Sequence, residues 1–368
     1  MKISFLSGTR ADYSKIKPYI EYLLQKNKDK TEIYIFATCM HMLKKYGNTY
    51  LEIQKDFSKD CHIVLDKSFV ESNTSCEFAH IMQKYNDHLR KDSIDFVFVH
   101  GDRPEALAGA ITTRLNNIPL CQIEAGDLSG SIDDSIRHAI TKLAHRLLVT
   151  DKSAKNVLLA QGENKKNIFI VGNSSLANKI TPENHIREKY NIPFDKYAIL
   201  IYHPVTTTAP NIIKAEIKGL MKCLKESGLN FVVIMPNNDL NSQIILDEYK
   251  KYESDSQFCF FKSLPLNIFI NLLKKSLFLI GNSSCGIKEA PHYHVPVFDI
   301  GERQKNRYLS LFSSKQFYHL NSLNKLPELI KKFKYKSPKR KEVNYRKSFF
   351  KKLDSVFDKD FWYPKIQK

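Results

Sequence analysis

Short apolar runs of strand length recur along the first half of the chain, at Ile3 to Leu6, Ile33 to Phe36, Phe96 to Val99, Leu120 to Ile123, Leu147 to Val149 and Ile168 to Val171. They alternate with stretches whose apolar residues recur at helical spacing, such as Ile16, Tyr19, Ile20, Leu23 and Leu24. Continuous apolar strands separated by amphipathic helices predict a parallel sheet covered on both faces. A second series begins after Pro193, with Ala198 to Tyr202, Phe231 to Met235, Phe258 to Phe261, Leu277 to Ile280 and Val297 to Ile300. The pattern predicts an α/β chain of two Rossmann-like doubly wound domains in tandem, joined near Ser174 to Asn191. A length of 368 residues, well above what one core usually serves, agrees with two domains.

In sheets of this kind ligands sit outside the carboxyl ends of the strands, so the residues after each apolar run carry the most information. After the first run comes Ser7-Gly8-Thr9-Arg10-Ala11-Asp12-Tyr13-Ser14-Lys15; later runs are followed by His100-Gly101-Asp102-Arg103 and Glu124-Ala125-Gly126-Asp127. In the second half the corresponding turns are His203-Pro204-Val205-Thr206-Thr207, Pro236-Asn237-Asn238-Asp239, Gly281-Asn282-Ser283-Ser284-Cys285-Gly286 and Gly301-Glu302-Arg303-Gln304. Any one of these turns could be an ordinary Gly-rich connection with a helix cap. Together they predict a deep active site facing a central cleft. The small residues of GNSSCG lead into a helical stretch with Lys288 and Glu289, and backbone N–H groups at a helix start suit a diphosphate. The hydroxyls of Ser283 and Ser284 add donors, and Arg10, Lys15 and His203 could neutralise the same anion as it leaves.

Composition narrows the classes. The formal charge of +18 admits nucleic acid, a membrane surface or an anionic small substrate as partner. Its one concentrated run, KKFKYKSPKRK from Lys331 to Lys341, accompanies no nucleic-acid motif and is read as a solvated lysine-rich face. The seven scattered cysteines form no CxxC pair and no metal-spaced cluster, which predicts reduced thiols, no metal and a cytoplasmic location. No apolar window reaches the length of a membrane span, and the N-terminus lacks a signal-peptide pattern. Neither GxGxxG nor GxxxxGK[ST] occurs, which argues against bound NAD and against an ATPase.

One stretch runs against the basic balance: EAGDLSGSIDDSIRH, Glu124 to His138, holds four acids. Helical period starts near Ile132 and continues through Ile136, Ile140 and Leu143, and Ser131 with Asp134 has capping-box spacing, so Asp134 is read as structural. Asp133 lies in the first turn, one helical step before Arg137, and Glu124 ends the preceding strand. With Asp102 they make three carboxylates at one mouth, suited to removing and delivering protons on opposite faces of a sugar ring.

The motifs GTRADYSK, YGNTY, HGDR, SGSIDDSIRHAITKLAH, HPVTT, PNND and GNSSCGIKEAP, in this order, resemble the hydrolysing UDP-N-acetylglucosamine 2-epimerases from residue 3 to about residue 307. The resemblance implies a glycosyltransferase-B-like fold. Its first domain, 1–173, would carry the catalytic carboxylates, the second, 174–345, would bind the nucleotide, and a C-terminal helix, 346–368, would pack back on the first. It implies conversion of UDP-N-acetylglucosamine and water to N-acetylmannosamine and UDP, by anti elimination through 2-acetamidoglucal and then hydration, without a cofactor, in sialic acid biosynthesis. By matching motif, Asp102, Glu124 and Asp133 are the catalytic carboxylates. Arg10, Lys15, Arg137, His203, Asn237, Ser283, Ser284 and Glu289 bind substrate and nucleotide, with Arg137 orienting Asp133 or the phosphates. A homo-oligomer, dimer or tetramer, is expected, with no nucleic-acid or membrane partner.

Two departures from the family pattern stand out. Glu124-Ala125-Gly126-Asp127 replaces Glu-Gly-Gly-Glu, and Asn173-Ser174-Ser175 replaces a Gly-Ser/Cys-Pro junction. Both leave room for an altered sugar, a 2,4-diacetamido-2,4,6-trideoxyhexose on UDP or GDP as in legionaminic acid pathways. A glycosyltransferase of the same fold and a basic nucleic-acid-binding protein are the competing classes; the first would release little free sugar without an acceptor, and the second would bind duplex with a steep salt dependence.

Overall fold

The computed structural model describes all residues except 28–30, 130–131, 183–184, 238, 305–315, 334–344 and 365–368. Most of the Lys331 to Lys341 run, Ser131 of the capping box and Asn238 therefore lie outside the described residues. Two compact units result, Met1–Leu128 with Asp133–Asn178 and Asn344–Lys368, and Ser129–Ile132 with Lys179–Val343.

The first unit is built on seven parallel strands: β1 (Lys2–Ser7), β2 (Glu32–Ala37), β3 (His62–Leu65), β4 (Phe96–His100), β5 (Leu120–Ile123), β6 (Arg146–Val149) and β7 (Ile168–Ile170). They lie in the order β3-β2-β1-β4-β5-β6-β7. Side chains alternate between the two faces of this sheet. Ile3, Phe5, Phe96 and Phe98 enter one core with Tyr13, Ile16, Tyr19 and Leu23 of α1 (Arg10–Asn27). Leu6, Val97 and Val99 enter the other, beside α3 (Thr74–Lys91) and α4 (Pro104–Leu115). Strand order reverses between β1 and β4, which opens a crevice at their carboxyl ends.

The second unit repeats the plan with β8 (Ala198–Ile201), β9 (Phe231–Ile234), β10 (Phe258–Phe261), β11 (Leu279–Gly281), β12 (Val297–Ile300) and β13 (Phe317–Leu320), in the order β10-β9-β8-β11-β12-β13. Here the reversal falls between β8 and β11. At this point the two strands come so close that a Cβ on Gly281 would lie 1.8 Å from the Ile201 carbonyl oxygen, with φ at +132°, so only glycine fits.

Two strands have no counterpart in the hydrophobic pattern, β3 (HIVL) and β13 (FYHL). Each is a sheet edge, paired on one side only, with a half-exposed run interrupted by histidine. Neither needed a continuous apolar sequence.

The chain closes on the first unit. Helix Tyr345–Val356 and the turn Lys359–Trp362 place Phe349, Leu353, Val356, Phe361 and Trp362 in the same core as Phe96 and Phe98. Phe349 meets the Tyr19 ring edge-on at 5.3 Å, and Arg146 Nε donates to the Phe361 carbonyl at 3.0 Å. The junction belongs here as well, beyond the expected boundary at residue 173: Asn178 Nδ2 donates to the Ser14 carbonyl and Arg346 Nη1 to that of Ala177.

Truncating this contact should be costly. Phe349→Ala is expected to lower unfolding free energy by roughly 3–5 kcal/mol through lost burial and a cavity. Trp362, the single tryptophan, reports the same core, so its fluorescence in a denaturant titration measures the change.

Candidate active site

The chemistry of the first unit gathers where β1, β4 and β5 end. Thr9 Oγ1 accepts from the Asp12 backbone N–H at 3.1 Å and donates to Asp12 Oδ2 at 2.9 Å, which fixes that carboxylate in the first turn of α1. Its other oxygen, Oδ1, faces His100 Nδ1 at 3.1 Å, from the end of β4. The opposite ring nitrogen, Nε2, stands 3.5 Å from Glu124 Oε2, and Lys15 Nζ is 3.3 Å from Glu124 Oε1. Burial opposes charge on both members of the Asp12–His100 pair. For His100 the two carboxylates outweigh it and raise the imidazole's pKa; for Asp12 the His100 hydrogen bond and charge, with Arg103, hold the carboxyl below its usual range.

Glu124 is set apart by its backbone. Its φ of +59° is left-handed, a conformation that costs a non-glycine residue about 1–3 kcal/mol and persists only where the surroundings impose it. The next turn residue is the reason: Gly126, at φ +77°, passes so close to α-helical residue Ala154 that a Cβ would sit 2.4 Å from its carbonyl oxygen. Ala125 between them is fully buried among Leu147, Val149 and Leu158. Its extra methyl group thus enters the core, which corrects the expectation that this departure alters the sugar site.

Arg137, on α5 (Ile132–Leu143), is 2% exposed and is organised by its own carboxylates. Its guanidinium contacts Asp102 through Nη2, Asp134 Oδ1 through Nη1 at 2.8 Å, and the Asp127 carbonyl at 2.7 Å. The sequence expectation had Arg137 serving Asp133 or phosphate and Asp134 capping a helix; Asp134 and Asp102 both contact the buried cation. Gln122 braces the same helix, donating from Nε2 to the carbonyls of Gly101 and Arg137 while Oε1 accepts from Thr141. Asp133 is half-buried in the first turn of α5.

The remaining basic residues are also held. Arg10 Nε donates to Glu52 Oε2 at 2.8 Å, on α2 (Tyr50–Phe57), and Asp56 of the same helix accepts from Tyr13 and Lys17. Buried His41 joins Ser7 at the end of β1 to Thr49 ahead of α2; burial lowers its pKa to about 4, so it stays neutral. Lys15 Nζ also donates to Asn173 Oδ1 at 3.4 Å, and the Asn173 backbone N–H donates to Tyr345 Oη.

In the second unit a reciprocal clamp joins the strands at the reversal. The His203 backbone N–H donates to Asn282 Oδ1 at 2.7 Å, and Asn282 Nδ2 donates to the His203 carbonyl at 2.8 Å. Gln304 and Arg303 donate to the Asn282 carbonyl. The Asn237 backbone N–H approaches His203 Nδ1 at 3.4 Å, which leaves the proton of the neutral ring on Nε2. Ser283 and Ser284 are partly exposed ahead of Cys285–Lys288, and Glu289 is buried just after it. The expected helix start is a single turn, so its N–H groups come from a tight bend rather than a long helix.

Sequence reading placed these residues at the strand ends but gave no role to Asp12, His100, Gln122 or Glu52. All four are quiet polar residues, each with a partner 19 to 88 positions away. Among the described residues no group of three His, Cys, Asp or Glu side chains is arranged to hold a metal, and no helix is long and apolar enough to cross a membrane.

Two parallel doubly wound sheets with polar turns at both reversals define a glycosyltransferase-B-like α/β protein. The pattern of the UDP-N-acetylglucosamine 2-epimerase family matches residues 24–345, and the chain belongs to that family. It is 39% identical over 318 residues to the UDP-N-acetylglucosamine 2-epimerase of Neisseria meningitidis serogroup B, covering 84% of this chain and 81% of the relative. It is 34% identical, over 83% and 82% of the two chains, to the Campylobacter jejuni GDP/UDP-N,N'-diacetylbacillosamine 2-epimerase (hydrolyzing). Its fold is that of the Methanocaldococcus jannaschii UDP-GlcNAc 2-epimerase, solved with UDP-GlcNAc and UDP, at a TM-score of 0.77 and 18% identity over 97% of this chain and 99% of that one.

The Asp12–His100 pair has a stability signature. Asp12, with a lowered folded pKa, contributes fully above the unfolded carboxyl's value of about 4 and loses that contribution as pH falls through the folded value. His100, with a raised one, contributes fully below the unfolded imidazole's value of about 6.5 and loses it as pH rises through the folded value. The melting-temperature gap between the native protein and Asp12→Asn should therefore be widest between about pH 4 and 6.5 and narrow on both sides. A gap that stays constant from well below pH ~4 to well above pH ~6.5 would show that the pair is not ionised.

Proposed function

We propose that the protein is a hydrolysing 2-epimerase that converts UDP-N-acetylglucosamine and water to N-acetylmannosamine and UDP, for sialic acid biosynthesis. The observation that carries the reading is the strained, charge-braced Glu124 at the strand reversal of the first unit, with Asp102 fixed by Arg137 beside the same strand ends. Such a set suits a reaction in which a weakly acidic C–H is broken and a phosphate ester leaves.

One carboxylate takes the proton from sugar C2 as the C1–O bond to UDP breaks on the opposite face, giving 2-acetamidoglucal. Water then adds to C1, and a proton is delivered to C2 from the other face, so the centre is inverted and the sugar is released free. Glu124, Asp102 and Asp133 share the proton transfers. Arg10 and Lys15 are basic groups for the departing diphosphate, and His203, Asn237, Ser283, Ser284 and Glu289 hold the nucleotide. The redox state of the sugar does not change, so the steps as written use no nicotinamide.

A second reading has its own support, the Campylobacter relative above and the 31%-identical Legionella pneumophila enzyme named UDP-N,N'-diacetylbacillosamine 2-epimerase (hydrolyzing). The same chemistry would then run on a UDP- or GDP-linked 2,4-diacetamido-2,4,6-trideoxyhexose, for legionaminic acid biosynthesis. Parallel NMR assays with both sugar nucleotides decide between them.

In D₂O the free sugar should carry deuterium at C2, and Asp102→Asn, Glu124→Gln and Asp133→Asn should each cut turnover by about 10²-fold or more. Full retention of the original C2 hydrogen would exclude elimination, and near-normal turnover would remove that carboxylate from the set. Calorimetric titration of UDP separates binding from chemistry. Ser284→Ala should weaken UDP by about 5- to 10-fold through one lost hydrogen bond, whereas Asp133→Asn should leave affinity nearly unchanged.

A further inference from the structure

The proposed reaction assigns a role to each carboxylate at the strand ends but none to His100. That residue is placed by three elements. It ends β4, Asp12 from the first turn of α1 meets its Nδ1 at 3.1 Å, and Glu124 from the end of β5 faces its Nε2 at 3.5 Å. Its side chain is 10% exposed and those of Asp12 and Glu124 are 9% and 7%. A histidine that only filled space in the core would need one acceptor; this one lies between two carboxylates, one of them fixed by Thr9 and the other held on a strained backbone.

We propose that His100 is a positioning residue for Glu124: clamped at Nδ1 by Asp12, it presents Nε2 to Glu124 Oε2 and, with Lys15 on Oε1, fixes the aim of that carboxylate during proton transfer at sugar C2. The proposal rests on the reading of Glu124 as a catalytic carboxylate. Geometry explains why a second cation is needed. Lys15 is a single point charge on a flexible stem, shared with Asn173, and constrains only one carboxylate oxygen. A planar ring anchored on its far side constrains the other and removes the carboxylate's freedom to swing.

The charged and titratable groups around the imidazole favour its protonated form. Asp12 faces it from α1 and Glu124 from β5, both acidic, and together they outweigh burial. Arg103 from the turn after β4, Glu105 from the first turn of α4 and neutral His41 each interact with Asp12. Loss of the imidazole proton as pH rises should loosen the clamp and contribute an alkaline limb to turnover.

Two measurements test this on the full chain. Nitrogen-15 NMR of the histidine side chains should show His100 titrating above the free imidazole's value of about 6.5, with a titration that moves to lower pH in Glu124→Gln. An imidazole that titrates below that value, or whose titration ignores Glu124→Gln, overturns the proposal. In kinetics, His100→Gln should lower kcat by about 10- to 100-fold, the range for a misaimed group, with little change in KM for UDP-N-acetylglucosamine and with the alkaline limb displaced. A fall in KM-governed affinity alone, or an unaltered limb, counts against it. Glu124→Gln distinguishes the two levels. If that variant keeps near-normal turnover, the reading of Glu124 fails and the proposal with it; if it is inactive while His100→Gln keeps native kinetics, only the proposal fails.

Discussion

A guanidinium cannot be left unpaired in a protein interior, and Arg137 is among the largest fully buried side chains of the molecule. Its position therefore dictates that of everything able to satisfy it. Asp102 comes from the turn after β4, the Asp127 carbonyl from the turn after β5, and Asp134 from its own helix, so one cation ties two strand ends to the start of α5. Removing a single partner would strand charge in low dielectric, which makes the arrangement cooperative. Among the candidate carboxylates, Asp102 takes its position from this requirement.

The second unit joins its strand ends through an amide rather than a buried ion pair. At its strand reversal the amide of Asn282 exchanges two hydrogen bonds with the His203 backbone, and Gly281 lets β8 and β11 approach until no side chain could intervene. An amide is well suited here, because it offers donor and acceptor at once and carries no charge to repel or attract a nucleotide phosphate. The first unit thus concentrates acids braced by cations at its strand ends, and the second presents hydroxyls, amides and backbone there.

Departures from the family pattern gain different meanings once packing is known. The methyl group of Ala125 is absorbed by the small core beside β6 and does not reach the acids around it. Asn173 is another matter, since its side chain accepts from Lys15, which in turn meets Glu124. Ala125 thus stays out of the charge network, whereas Asn173 touches it.

Much of this protein is determined by its sequence alone. Continuous apolar runs alternating with amphipathic helices demand a parallel sheet buried on both faces, and polar turns after those runs mark the ligand side, because both follow from local periodicity and from the geometry of right-handed crossovers. Edge strands β3 and β13 escaped this reading because pairing on one side relieves them of the need to be wholly apolar. The motifs likewise single out Asp102, Glu124 and Asp133 as candidates. What tertiary structure decided is which charges meet: that Asp134 shares Arg137 with Asp102, that Arg10 is held by Glu52, and that Asp12, His100, Glu124 and Lys15 form one network. Those pairings join residues up to 109 positions apart, as in Lys15 with Glu124, and pairing across such distances is set by the order of strands in the sheet, which no local pattern encodes.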